Sequence, residues 1–252
     1  MIFFIRASFR LFLFGVFAIL FLIPMFFLFI FTGKNLRIAL KVRKTFIKML
    51  YFILGIRIEK TGECHKTLTA FYIGNHCSYI DPVIILRDVE ALPVAKAEVG
   101  SWPLIGFAIK ATGVLYVKRE SKQSRASTLE GMRKKILEGF SILIYPEGTT
   151  HLGDKTLKFK KGAFFLAARH NIPIIPVAVA YFDQKDAWIS NESFLKHFYR
   201  AFGKRISRVK IKYGNPITSN DGEELLTKTQ GWIDEQLPII RNEIKQRQVV
   251  AT

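Results

Sequence analysis

The pattern of apolar and polar positions divides the chain into two parts. Residues 11–31, LFLFGVFAILFLIPMFFLFIF, are 21 consecutive positions without a polar side chain. About 20 helical residues cross the hydrocarbon of a bilayer, so this stretch predicts a membrane anchor. A cleaved signal peptide carries a shorter apolar region of about 7–15 residues ahead of a small-residue cleavage site. Thr32-Gly33-Lys34 follows instead, and an uncleaved anchor is expected. Pro24 interrupts the run and would kink a helix there. Two geometries stay open, a full span and a dip into one leaflet and back. The next segment, residues 36–58, places Lys41, Lys44 and Lys48 at spacings of three and four among large apolar residues. That is the pattern of a basic amphipathic helix at a membrane surface, favoured over a helix packed on the domain because a spanning-length segment precedes it.

From about residue 68 the period changes. LTAFYIG (68–74), GVLYVK (113–118), FSILIYP (140–146), IPIIPVAVAYF (172–182) and RVKIKYG (208–214) predict strands. Helices are expected over 82–88, 103–111 with Pro103 at the first helical position, 122–138, 161–170 and 222–246. This alternation predicts an α/β fold, a mostly parallel mixed sheet flanked by helices and preceded by the N-terminal anchoring segment. The expected organisation is an anchoring unit over residues 1–58 and a catalytic domain over 59–252. Residues 183–206, with Trp188, Phe194 and Phe198 among charges, are either a second membrane-facing patch or a packed helix.

Charge sharpens this picture. The 252-residue chain carries a formal net charge of +18. Residues 1–60 hold ten Lys or Arg against the single acid Glu59, a net +9 and half of the total. Interleaved with large apolar side chains, this excess fits an anionic bilayer and not nucleic acid, whose binding surfaces are solvated basic patches. The heavier basic cluster follows residue 31, so the positive-inside bias puts the main domain in the cytoplasm. Two cysteines, Cys64 and Cys77, make neither a disulfide framework nor a metal cluster. The sequence lacks GxxxxGK[ST] and GxGxxG, and His65, His151, His170 and His197 stand at no metal-ligand spacing. No metal is expected.

Candidate chemistry gathers at the predicted strand ends, where sites in such sheets form. His76 follows the first strand, and Asp81 comes five residues later in NHCSYIDP. A histidine can take a proton from a hydroxyl near neutral pH, and a carboxylate on its other nitrogen fixes the tautomer. On their own the two residues fit a turn capping a helix at Pro82 better than a catalytic pair. Cys77 reads as a small packed residue. YPEGTT (145–150) ends another strand, with Glu147 to accept hydrogen bonds from substrate or backbone and Gly148 to permit close approach. Lys118, Arg119, Lys122 and Arg125 are suited to phosphate or to a solvated face. Lys160 and Lys161 precede a helix at a possible anion site. Pro173 and Pro176 within an apolar run suggest a bulged or edge strand walling an acyl pocket, or a plain buried one.

Taken in order, these blocks resemble the glycerolipid acyltransferase family, which includes bacterial 1-acyl-glycerol-3-phosphate acyltransferases. Asn75-His76-Cys77-Ser78-Tyr79-Ile80-Asp81 matches its NHxSxxD block. Gly113 to Arg119, Tyr145-Pro146-Glu147-Gly148-Thr149 and IPIIPVAV ending around Pro176 are similar to the second, third and fourth. The resemblance covers about residues 60–215. It implies a membrane-bound O-acyltransferase in which His76 deprotonates the free hydroxyl of a lysophospholipid and Asp81 orients it. The hydroxyl attacks the thioester of acyl-CoA or acyl-acyl-carrier protein, a co-substrate rather than a cofactor. Asn75, Ser78, Gly113, Arg119, Glu147, Gly148, Thr149 and Pro176 would form the substrate-binding set. One position departs: Thr150 stands where the third block usually has an Arg that helps hold phosphate. The acceptor is then lysophosphatidate, with Lys118, Lys160 or His151 compensating, or another lysolipid such as lyso-ornithine lipid. The expected location is the bacterial inner membrane. A lipid hydrolase is disfavoured by the absence of GxSxG. A non-catalytic module binding anionic membranes is the remaining alternative.

Overall fold

The computed structural model describes residues 1–32, 35–101, 112–118, 120–189 and 192–250. The helix expected over 103–111 and Arg119 lie outside the described residues.

Helix α1 (Ile2–Thr32) begins nine residues before the apolar run and contains Pro24 within its length. Ile2–Pro24 is long and apolar enough to cross a membrane. The helix does not stand free of the domain. Arg6 donates to Gly203 O (3.0 Å), and Arg10 donates to Phe202 O (2.8 Å), Lys204 O (2.6 Å) and Arg205 O (2.9 Å). These guanidinium groups satisfy carbonyls that the end of a neighbouring helix leaves without partners. The opposite face exposes Ile2, Ile5, Phe9, Phe12, Ile19 and Ile23 in one helical stripe.

Helix α2 (Leu36–Leu54) starts at Asn35, whose side chain accepts from Ile38 N, and ends at Gly55 with φ 69°. It is built into the core. Leu40, Ile47, Leu50 and Leu54 recur along one face and are buried, while Lys41, Lys48 and Phe52 stay exposed. The expected membrane-surface helix is therefore packed on the domain along its inner face, because that face carries enough apolar area to be worth roughly 1.5–3 kcal/mol per fully buried side chain. Strand β1 (Ile56–Thr61) follows directly, so a division between residues 58 and 59 falls inside a strand.

Among the described residues seven strands form one sheet in the order β1-β7-β6-β2-β5-β3-β4. They are β1, β2 (Phe71–Gly74), β3 (Ala91–Lys96), β4 (Leu115–Val117), β5 (Ser141–Ile144), β6 (Ile174–Tyr181) and β7 (Ser207–Tyr213). Five run parallel, β7 is antiparallel to β6, and β1 is parallel to β7. This is the mixed α/β sheet that the alternation predicts. Two strands escaped the pattern. β1 is a half-exposed edge, and β3 contains Pro93, a residue that argues against a strand on sequence grounds. Of the two readings left open for the two-proline run of β6, a bulged or edge strand and a plain buried one, the second holds: β6 lies between β2 and β7 with all eight residues buried.

Side chains alternate between two packed faces. Tyr72, Leu143, Ile175 and Val177 meet α2, α3 (Asp81–Leu86) and α6 (Phe194–Phe202). Phe71, Ile73, Ile142 and Ile174 meet α4 (Lys122–Leu137), α5 (Gly162–Arg169) and α7 (Gly222–Val250). Residues 183–206 resolve into a 3-10 turn at Gln184–Asp186 and helix α6, which buries His197, Phe198, Ala201 and Phe202 against the first face.

Candidate active site

Parallel register brings the chemistry together. Ile73 pairs with Ile144 on one side of β2 and with Pro176 on the other. The segments leaving the carboxyl ends of β2 and β5 therefore advance side by side. His76 reaches the level of Glu147, and Tyr181 at the end of β6 stands beside them.

Asp81, at the first turn of α3, is fully buried. Its Oδ2 accepts from the Cys77 amide (2.6 Å) and the Ser78 amide (2.8 Å), and lies 2.8 Å from His76 Nδ1. Its Oδ1 accepts from the Tyr181 hydroxyl at 2.6 Å. A carboxylate so surrounded by donors accepts from Nδ1–H, which leaves Nε2 as the basic nitrogen of His76. The His76 side chain is 18% exposed, enough for a substrate hydroxyl to reach it. The backbone of His76 is held as firmly. Its N–H donates to Glu147 Oε1 (2.8 Å), and its carbonyl accepts from the His151 amide (2.7 Å).

Glu147 is accordingly a brace. Its second oxygen accepts from Leu157 N (2.9 Å), so both oxygens serve the backbone. Burial raises its pKa, and the bonds from Leu157 and His76 pull the other way. The sequence allowed substrate or backbone partners for this carboxylate, and the backbone takes it. Asn75 is likewise occupied: Oδ1 accepts from Val179 N (2.8 Å) and Nδ2 donates to Val179 O (3.0 Å), tying β2 to β6. Burial and Asp81 raise the pKa of the Cys77 thiol well above its ordinary value. Cys77 is a buried, packed residue.

A cavity of ≈ 1190 Å³ opens at His76. Its lining includes the apolar Phe14, Phe21, Phe46, Leu50 and Phe194 and, among more polar positions, Gly148, Thr150, Lys158 and Lys160. Lys160 Nζ lies 2.6 Å from where a Cβ on Gly148 would sit, so the missing side chain, at φ +74°, admits the ammonium to the loop. Lys161 pairs with Glu223, whereas Lys158 and Lys160 have no carboxylate within 4 Å among the described residues. Six residues of the expected binding set do not line the cavity, Asn75 and Glu147, which are spent on backbone, and four more. Ser78 is buried beside Asp81, Thr149 is exposed, and Pro176 sits in β6 against Gly214. Gly113, at φ +74°, packs on Leu36 of α2, where an added Cβ would come 2.7 Å from Leu36 Cδ1.

Sequence reading missed three participants. Tyr181 anchors Asp81 from a strand whose place beside β2 no local pattern reveals. Tyr145 stacks on His76 with ring centroids 4.2 Å apart. Tyr79 lies against His197, whose Nδ1 is 3.0 Å from its hydroxyl and whose Nε2 is 3.0 Å from Asp186 O. Burial lowers the pKa of His197, so the neutral ring accepts from Tyr79 and donates to Asp186.

A mixed α/β sheet carries a half-buried His76 bonded to a buried Asp81 at its strand ends, beside a cavity with both apolar and polar lining. A model of the Acyltransferase family matches residues 55–180, half of the chain, and the chain belongs to that family. It is similar to the lyso-ornithine lipid O-acyltransferase of Rhizobium meliloti (strain 1021), 28% identical over 51% of this chain and 44% of that one. It is also similar to the 1-acyl-sn-glycerol-3-phosphate acyltransferase of Borreliella burgdorferi, 31% identical over 57% of this chain and 59% of that one. These matches span 44% and 59% of the two relatives' lengths. The fold agrees with the crystal structure of the 1-acyl-sn-glycerophosphate (LPA) acyltransferase, PlsC, from Thermotoga maritima. The TM-score is 0.71 at 20% identity, covering 94% of this chain and 95% of that one.

Proposed function

We propose that this chain is a membrane-associated O-acyltransferase that acylates the free hydroxyl of a lysophospholipid, with 1-acyl-glycerol-3-phosphate as acceptor and phosphatidic acid as product. The observation that carries the reading is the His76–Asp81 pair opening on a cavity lined by both large apolar side chains and lysines. A lysolipid likewise combines an apolar chain with a polar head. His76 Nε2 takes the hydroxyl proton as the oxygen attacks the thioester carbonyl of acyl-CoA or acyl-acyl-carrier protein. The tetrahedral oxyanion collapses, the C–S bond breaks, and the departing thiolate takes the proton back from the imidazolium. Asp81 holds the tautomer and offsets the charge on the ring. The exposed stripe of α1 lies in the bilayer, and the basic excess of residues 34–60 keeps the domain on the cytoplasmic side of a bacterial inner membrane.

A second acceptor is favoured by one position. Thr150 is neutral where it lines the cavity, which suits a lysolipid without a phosphomonoester, such as lyso-ornithine lipid. The test is acyl transfer from labelled oleoyl-CoA, and separately from acyl-acyl-carrier protein, to a panel of lysolipids in membranes holding the protein or its His76→Ala variant. Selective, His76-dependent acylation of lysophosphatidate is expected. Transfer to another lysolipid replaces the acceptor and keeps the mechanism. Absence of His76-dependent transfer with either donor refutes the reading and leaves a membrane-binding module.

A further inference from the structure

Tyr145 is the last residue before the Pro146-Glu147-Gly148 turn, and the proton transfer described above makes no use of it. Its ring lies nearly parallel to the His76 imidazole, with centroids 4.2 Å apart and planes at 17°. Its hydroxyl is buried and hydrogen-bonded to nothing among the described residues. A buried hydroxyl without a partner costs stability, so the ring and not the oxygen is what this residue brings to the site. The pairing of Ile73 with Ile144 carries Tyr145 alongside Gly74, and its ring packs over that glycine, Cε1 lying 3.4 Å from where a Cβ would stand.

We propose that Tyr145 is a positioning residue for the general base, its π face stacked on His76 so that the imidazole stays in line with Asp81 and the imidazolium formed during acyl transfer is stabilised. This rests on His76 acting as the base in the proposed reaction. The contact between His76 Nδ1 and Asp81 Oδ2 leaves the ring able to pivot about one axis, and a parallel neighbour removes that freedom. The ring quadrupole also attracts a cation more than a neutral group. The gain therefore falls mainly on the protonated imidazole, the species of the transition state, and differential stabilisation of that kind accelerates a reaction.

Other groups around His76 are accounted for. Asp81 meets its Nδ1, and Cys77 adjoins it in the same loop. Glu147 and His151 hold its backbone from the segment after β5, Lys160 lies over Gly148, and Tyr181 bonds Asp81 from β6. Substitutions confined to the Tyr145 ring leave all of these in place.

The experiment compares Tyr145→Phe, Tyr145→Leu and Tyr145→trifluorophenylalanine by two readouts, kcat for acyl transfer and the NMR titration of the His76 imidazole without substrate. Tyr145→Phe is expected to keep kcat within about twofold. Tyr145→Leu, apolar but without a π face, is expected to lose kcat by roughly 3- to 30-fold with KM little changed. The fluorinated ring, alike in shape and poorer in π density, falls between them, and His76 titrates at lower pH in both impaired variants. Equal behaviour of the phenylalanine and trifluorophenylalanine variants in both readouts overturns the proposal, as does a Phe variant as impaired as Leu. Should the Leu variant fail to fold, the isosteric aromatic pair still decides. Should the wild type transfer no acyl group, the proposed function falls, and the titration still tests the stack.

Discussion

The apolar flank formed by α1 and the strand-end pocket around His76 are held by opposite means. Along α1, hydrogen bonds from Arg6, Arg10 and Ser8 fix one end, and contacts between apolar side chains such as Phe21 and Phe46 add to them. Around His76 every fixed group is held more than once. Asp81 contacts four donors, Glu147 braces two amides, and Asn75 bonds Val179 in both directions. Dispersion and burial are non-directional and tolerate substitutions of similar size. A proton transfer needs its base placed to a fraction of an ångström. The flank is therefore expected to be forgiving and the pocket brittle.

The sharpest break of this contrast is His76→Ala, expected to lower acyl transfer by roughly 10²–10⁴ while the protein stays with the membrane fraction. Equal loss of both would merge the two regions. Asp81→Asn comes next. Its amide puts donors where Cys77 N, Ser78 N and Nδ1 or the Tyr181 hydroxyl already donate. Both kcat and thermal stability should fall, the latter by about 1–3 kcal/mol or more, measured in detergent. Arg10→Ala probes the flank. Loss of its bonds to three carbonyls should cost about 1–2 kcal/mol and raise KM for bilayer-embedded acceptor, with transfer to a short-chain soluble acceptor unchanged. A collapse of the soluble assay would show that the flank positions the chemistry.

Smaller effects sharpen the picture at its margins. Lys160→Ala should raise KM for a phosphomonoester acceptor by roughly 3- to 30-fold and leave a zwitterionic acceptor nearly unaffected. An equal rise for both would place the ammonium on the donor. The smallest effect expected is on pH dependence. Burial lowers the pKa of His197 below its ordinary 6.5, so the unfolded chain takes up the proton first. Stability contributed by the neutral ring is full above about 6.5 and is lost as pH falls toward the folded value. His197→Asn should flatten that part of a thermal-stability profile between pH 7 and 5.

Much of this was legible before any coordinates. Ordered blocks around His76, Glu147 and Pro176 pointed to the family, and periodicity found five of seven strands within a few residues. What it missed has physical reasons. Pro93 hides β3, because a proline inside a strand is locally unfavourable and is tolerated here by the flanking strands. The lysines of α2 looked like a membrane-facing pattern, but their spacing carries no information about what the opposite face packs on. Asn75 and Glu147 are polar residues beside a candidate base, and sequence alone does not distinguish a group that binds substrate from one spent on backbone amides.

The sequence by itself determined most of the elements, the apolar N-terminal run, the basic excess and the candidate pair His76 and Asp81, since these depend on local periodicity and on residue chemistry. Only the tertiary structure decided that Tyr181 anchors Asp81, that Tyr145 covers His76, that Lys160 fills the space over Gly148, and that β6 is central. Each of those depends on which strands lie side by side. Strand order is fixed by how the whole sheet buries its two faces, a global condition that no single segment encodes.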